Sequence, residues 1–128
     1  MTCVYDTIIK RLHTQDLIKL TNSPKPTPTI LIFNIKKLNQ FTINCLHQNR
    51  ELTLKEIKEN YTRIYNIDIN KLNNGYLVSG CEPLFLLLVY ILDIKIVHNY
   101  NGIIIEYKPK YNNIRYIITL NSSTSHMF

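Results

Sequence analysis

A thiol and an imidazole stand near opposite ends of the chain, at Cys3 and His126. Cys3 sits where an amphipathic helix is predicted to begin, and a helix N-terminus carries about half a positive charge that favours thiolate over thiol. His126 follows a Ser/Thr/Asn stretch directly after the last predicted strand. A helix-borne thiolate facing an imidazole from the edge of a sheet is equipped for acyl transfer: sulfur attacks a carbonyl and the imidazole moves the proton. Cys3 is therefore the candidate nucleophile and His126 its base.

The remaining thiols and imidazoles rank lower. Cys81 also lies in a first helical turn and is the second candidate nucleophile. His13 falls within the first predicted helix. Cys45 and His47 are read on a helix, where two positions so close cannot both face one site. His98 alternates with Ile94 and Ile96, as a packed sheet histidine would.

A sequence of 128 residues is read as one domain spanning 1–128. Hydrophobic residues make up 45% and charged residues 19%, an ordinary globular balance. Three isolated cysteines without a C-x-x-C spacing suit a reducing compartment and argue against zinc; no cofactor or metal is expected. The first residues carry Asp6, Lys10 and Arg11 rather than a continuous apolar run, and Leu84–Leu92 is half the length of a membrane span. The expectation is a cytoplasmic protein with no membrane span. The net charge of +6 is spread along the chain and accompanies a bias toward Ile, Asn, Lys and Tyr of the kind A/T-rich codons produce. Without a basic cluster, nucleic acid is not the expected partner.

The elements that must position Cys3 and His126 follow from periodicity. Val4, Ile8, Ile9, Leu12 and Leu17 predict a helix over Cys3–Leu20, and Pro24, Pro26 and Pro28 an extended loop after it. Ile30–Phe33 is too short to assign, and a further helix is read from Lys37 to His47. Thr53-Leu54-Lys55-Glu56 is a capping box opening a helix over 54–65, and Ser79-Gly80-Cys81-Glu82 is another before Pro83 and the wholly apolar run Leu84–Leu92. The period then switches to two. Strands over 94–98 and 102–107 flank the Asn101-Gly102 turn, and a third covers Ile114–Leu120. The class is α+β, with N-terminal helices packed on a small C-terminal antiparallel meander.

Three segments in this order resemble viral papain-like and ovarian-tumour (OTU) cysteine proteases. Thr2-Cys3-Val4-Tyr5-Asp6-Thr7-Ile8-Ile9 is similar to their nucleophile segment. Gly75–Leu87 followed by Leu92-Asp93-Ile94-Lys95-Ile96-Val97 looks like the turn, buried helix and strand of OTU folds. Ser125-His126-Met127-Phe128 resembles their catalytic histidine close. The resemblance implies a papain-like or OTU-like fold and cleavage of peptide or isopeptide bonds. The implied substrate is a viral polyprotein or ubiquitin and its relatives, in the host cytoplasm. It departs from the family in lacking the Asp-Gly or Asn-type pair before the cysteine and a third residue after the histidine: either the sequence is a piece of a longer polyprotein, or the pair works as a Cys–His dyad, or the chain is a degenerate, inactive relative. The rival reading, from another class, is a non-enzymatic viral accessory or host-interaction protein with a degenerate protease-like fold.

Overall fold

The computed structural model describes residues 4–70 and 81–122. Its architecture is mixed α+β. Helices α1 (Val4–Arg11), α2 (Thr14–Thr21) and α3 (Pro28–Lys37) precede a hairpin of β1 (Cys45–His47) and β2 (Arg50–Glu51). Helix α4 (Leu54–Tyr65), the central helix α5 (Cys81–Leu92), and strands β3 (Lys95–Tyr100), β4 (Ile103–Pro109) and β5 (Ile117–Ser122) follow.

The long first helix expected from the apolar spacing is two. His13 takes an extended conformation (φ −60°, ψ 140°) and donates its backbone N–H to the Tyr116 hydroxyl at 3.2 Å instead of to a carbonyl one turn back. A tertiary partner thus breaks a helix whose amphipathic period runs on unbroken. The predicted loop ends at Thr27, whose hydroxyl caps α3 by accepting the Ile30 N–H at 3.2 Å, with Pro28 at the start of the helix. Ile30–Phe33 is therefore helical.

The helix read over Lys37–His47 is absent. Leu38 and Asn39 close α3, and Cys45–His47 is a strand that turns through Gln48 and Asn49, both at positive φ (55° and 61°), into β2. Two consecutive left-handed residues make the tight hairpin turn, which asparagine tolerates without glycine.

Helix α4 matches its capping box: Glu56 N–H donates to the Thr53 hydroxyl at 3.1 Å, and Thr53 N–H donates to the Glu56 carboxylate at 2.9 Å. Arg50 adds a bidentate pair to the same carboxylate at 3.0 Å. These bonds hold the Glu56 carboxyl down at about 2, the Arg50 guanidinium contributing most. Thr53→Ala leaves one N–H of the first turn without its acceptor. We expect a loss of about 1 kcal/mol in urea unfolding at neutral pH.

Helix α5 is the centre of the molecule. Leu84 to Val89 are each no more than 1% exposed. Six consecutive buried residues cover every side of a helix. One side lies on β1, β3 and β4, and the other meets α3 and α4.

Among the described residues the sheet has five strands in the order β2-β1-β4-β3-β5, and it is mixed rather than antiparallel. β3 and β4 form the expected hairpin about Asn101-Gly102, with Tyr100 opposite Ile103. β5, however, pairs in parallel with β3, Ile96 opposite Ile118. The place beside β4 that a meander would use is taken by β1, which comes from the first half of the chain. The connection instead crosses the C-terminal end of α5. There Arg115 donates its backbone N–H to the Asp93 carbonyl at 2.8 Å and its guanidinium to the Leu92 carbonyl at 2.9 Å. Carbonyls at a helix end lack intrahelical donors, and a cation there is favoured.

Candidate functional site

Both residues of the proposed dyad, Cys3 and His126, lie outside the described residues, as does the Cys81 side chain. The elements that lead to them are described. α1 begins at Val4, one residue after Cys3; β5 ends at Ser122, four residues before His126.

These two elements are neighbours. α1 packs against β5, burying Tyr5, Ile8 and Leu12 in the same core as Ile118 and Leu120. One anchor stands beside this contact. The His13 ring, just past α1, stacks on Tyr116, just before β5, with centroids 3.5 Å apart. The C-terminal end of α1 is thereby held beside the start of β5.

The anchor belongs to a polar cluster around the buried Asp16 that sequence reasoning missed. Asp16, 3% exposed, accepts from the Tyr116 hydroxyl and from Arg115 at 3.1 Å. Burial, and then the bond to Asp16, push the Tyr116 hydroxyl up to about 12. Nothing in the local sequence marks Asp16 as buried. Its partners lie about 100 residues away, and only an acid on the apolar side of α2, beside Leu17 and Leu20, hinted at it.

The structure separates the other candidates. Because β1 is a strand, Cys45 and His47 share a face, contrary to the helical expectation. They nevertheless do different things. Cys45 is 2% exposed, and burial, with Asp93 nearby, pushes its thiol up to about 12. A thiol with that value holds almost no thiolate at neutral pH and is no nucleophile. Cys45 is expected to resist iodoacetamide at pH 8 in the folded protein and to react once urea unfolds it, read by mass spectrometry. His47 stacks on Tyr107 (centroids 5.0 Å apart, ring planes nearly parallel), with Nδ1 3.2 Å from the Glu82 carboxylate at the start of α5. His98 is half-buried, edge-on to Phe85 at 5.6 Å, and burial lowers its basicity. His13 is the anchor described above.

A cleft of about 410 Å³ opens where β1 and β4 meet the end of α5, lined by Gln40, Asn44, Cys45, Tyr90, Asp93 and Tyr111 among others. It holds no thiolate–imidazole pair. Among the described residues no three His, Cys, Asp or Glu side chains are grouped as a metal site requires. Among them, too, no helix is long and apolar enough to cross a membrane.

No protein-family model, curated protein or solved structure matches the chain.

Proposed function

We propose that this chain is a cysteine protease of OTU-like type, with Cys3 as nucleophile and His126 as general base and acid. The observation that carries the reading is the packing of α1 on β5. The helix that starts next to Cys3 packs against the strand that leads to His126. Four residues of extended chain reach at most about 14 Å, which leaves room for His126 to meet Cys3 if the dyad forms.

The reaction is acyl transfer. His126 takes the Cys3 proton, and the thiolate attacks a peptide or isopeptide carbonyl. The first backbone N–H groups of α1, which have no intrahelical acceptor, are the donors available to the oxyanion. Collapse breaks the C–N bond, the imidazolium gives its proton to the leaving amine, and a thioester remains. Water, deprotonated by His126, then hydrolyses the thioester and restores the thiol. The substrate belongs to the same proposal: a viral polyprotein junction, or ubiquitin and its relatives, in the host cytoplasm.

The test is ubiquitin carrying an electrophilic C-terminus, run beside junction peptides bearing the same group. A covalent adduct on the native chain that is lost in Cys3→Ala supports the reading. Absence of an adduct with every electrophile would return the chain to the non-enzymatic interaction class.

A further inference from the structure

The two edges of the sheet are finished in opposite ways. On the β2 side the last strand is two residues long and charged, Arg50-Glu51. The stretch of β4 that β1 does not reach is closed by a side chain. Gln48 donates its amide to the Ile104 carbonyl at 2.9 Å and accepts the Glu106 N–H at 2.9 Å, imitating one residue of a strand. Short, charged and capped edges are how folded proteins prevent pairing with other chains.

β5 has none of these devices. Its six residues, Ile117-Ile118-Thr119-Leu120-Asn121-Ser122, carry no charge and no proline. The Lys95 N–H donates to the Tyr116 carbonyl at 3.1 Å, which fixes the phase of the ladder. Ile118 and Leu120 turn their backbone groups toward β3, and Ile117, Thr119 and Asn121 turn theirs to the outside. Those outward N–H and C=O groups have no partner among the described residues. The strand is also open to solvent there: Ile117 is 57% exposed, Thr119 is exposed and Asn121 half-buried.

We propose that the outer edge of β5 is the substrate track, taking an extended peptide segment as a sixth strand. Three donor–acceptor pairs repeating every second residue, about 6.6 Å apart, are matched by an extended backbone and by little else. Recognition of this kind reads the main chain, so it accepts different side chains. It also excludes folded segments, which lack free backbone groups. The proposal rests on the protease reading for what happens at the end of the track; the open edge itself does not depend on that reading.

Thr119→Pro tests it. Proline removes an outward N–H and fills the edge with its ring, while the bonds to β3 belong to the neighbouring residues; prolines are tolerated at such edge positions. Two rates are compared at Cys3: labelling by ubiquitin with an electrophilic C-terminus, which needs the track, and alkylation by iodoacetamide, which does not. We expect Thr119→Pro to slow the first about tenfold or more, the cost of an unmade backbone bond, and to leave the second unchanged. Thr119→Val, which keeps the N–H, retains both rates. If Thr119→Pro fails to fold, the wild-type adduct supplies the readout: exchange of the Ile117, Thr119 and Asn121 amides slows at least about tenfold. Equal labelling of Thr119→Pro and wild type, or unchanged exchange in the adduct, would overturn the track and leave the protease reading standing. No labelling of Cys3 by either reagent would overturn both.

Discussion

Cys3→Ala and His126→Ala are each expected to lower turnover about 10⁴-fold or more, and the double variant to be no slower than either single one. The two side chains act as a unit. A thiol without its base stays protonated, and a base without its thiol has no proton to move, so the second deletion removes nothing further. Independent contributions would multiply instead. The folded state should survive both changes, because the described core runs from Tyr5 to Leu120 and is organised around α5. Release of a fluorophore from the ubiquitin C-terminus checks the first part, and thermal unfolding within about 2 °C of wild type checks the second, a shift below roughly 0.5 kcal/mol. A double variant much slower than both singles would mean that two independent processes, not a dyad, carry the activity.

The largest stability effect should come from Phe85. Its ring, 1% exposed, meets Tyr107 edge-on at 5.5 Å and His98 at 5.6 Å, so one side chain ties α5 to β3 and β4 together. Phe85→Ala loses the transfer free energy of a buried ring and leaves a cavity that α5, packed on all sides, cannot collapse into. We expect about 3–5 kcal/mol in urea unfolding, a large fraction of the 5–15 kcal/mol typical of a single domain. Phe85→Leu should recover most of it. Tyr107 also carries the His47 ring, so the Phe85→Ala variant should shift the His47 resonances while the His13 resonances stay in place. A cost below about 1 kcal/mol would contradict the placement of α5 at the centre of the fold.

What could be read from the sequence was what local chemistry decides. Thr53 and Glu56 satisfy each other's backbone groups whatever surrounds them, and Asn101-Gly102 accepts positive φ without help, so α4 and the β3–β4 hairpin stood where their residues place them. The unbroken apolar run of α5 announced a helix buried on all sides. Where the prediction failed, a distant partner decides. The break at His13 depends on a hydroxyl at Tyr116. The strand at Cys45–His47 exists because Tyr107–Pro109 offer it a ladder, and three residues carry too little pattern to say so. The parallel placement of β5 follows from the same event, since β1 occupies the edge of β4 and leaves β3 as the open one.

The candidate site divides in the same way. The helix start after Cys3 and the strand before His126 were legible from periodicity. The clamp that joins them was not. Asp16 on α2 meets Arg115 and Tyr116, neighbours just before β5, and only the fold brings them together around the buried carboxylate. The misreading at Cys45 and His47 has a plain cause: on a helix the two would diverge, and on a strand they align. Burial then decides against Cys45 as a nucleophile, a property no spacing in the sequence could reveal.

The most direct test of the dyad needs no substrate. Iodoacetamide alkylation of each cysteine, followed by mass spectrometry between pH 5 and 9, reports how much thiolate each one holds. If Cys3 is paired with His126 at the start of α1, it should react at pH 6 about tenfold or more faster than free cysteine. That margin allows for the lower intrinsic nucleophilicity of a low-pKa thiolate. Cys45 should stay unmodified, and His126→Ala should return Cys3 to the rate of a free thiol. A Cys3 that titrates near the ordinary thiol value of about 8.5, with a rate indifferent to His126, would contradict the account.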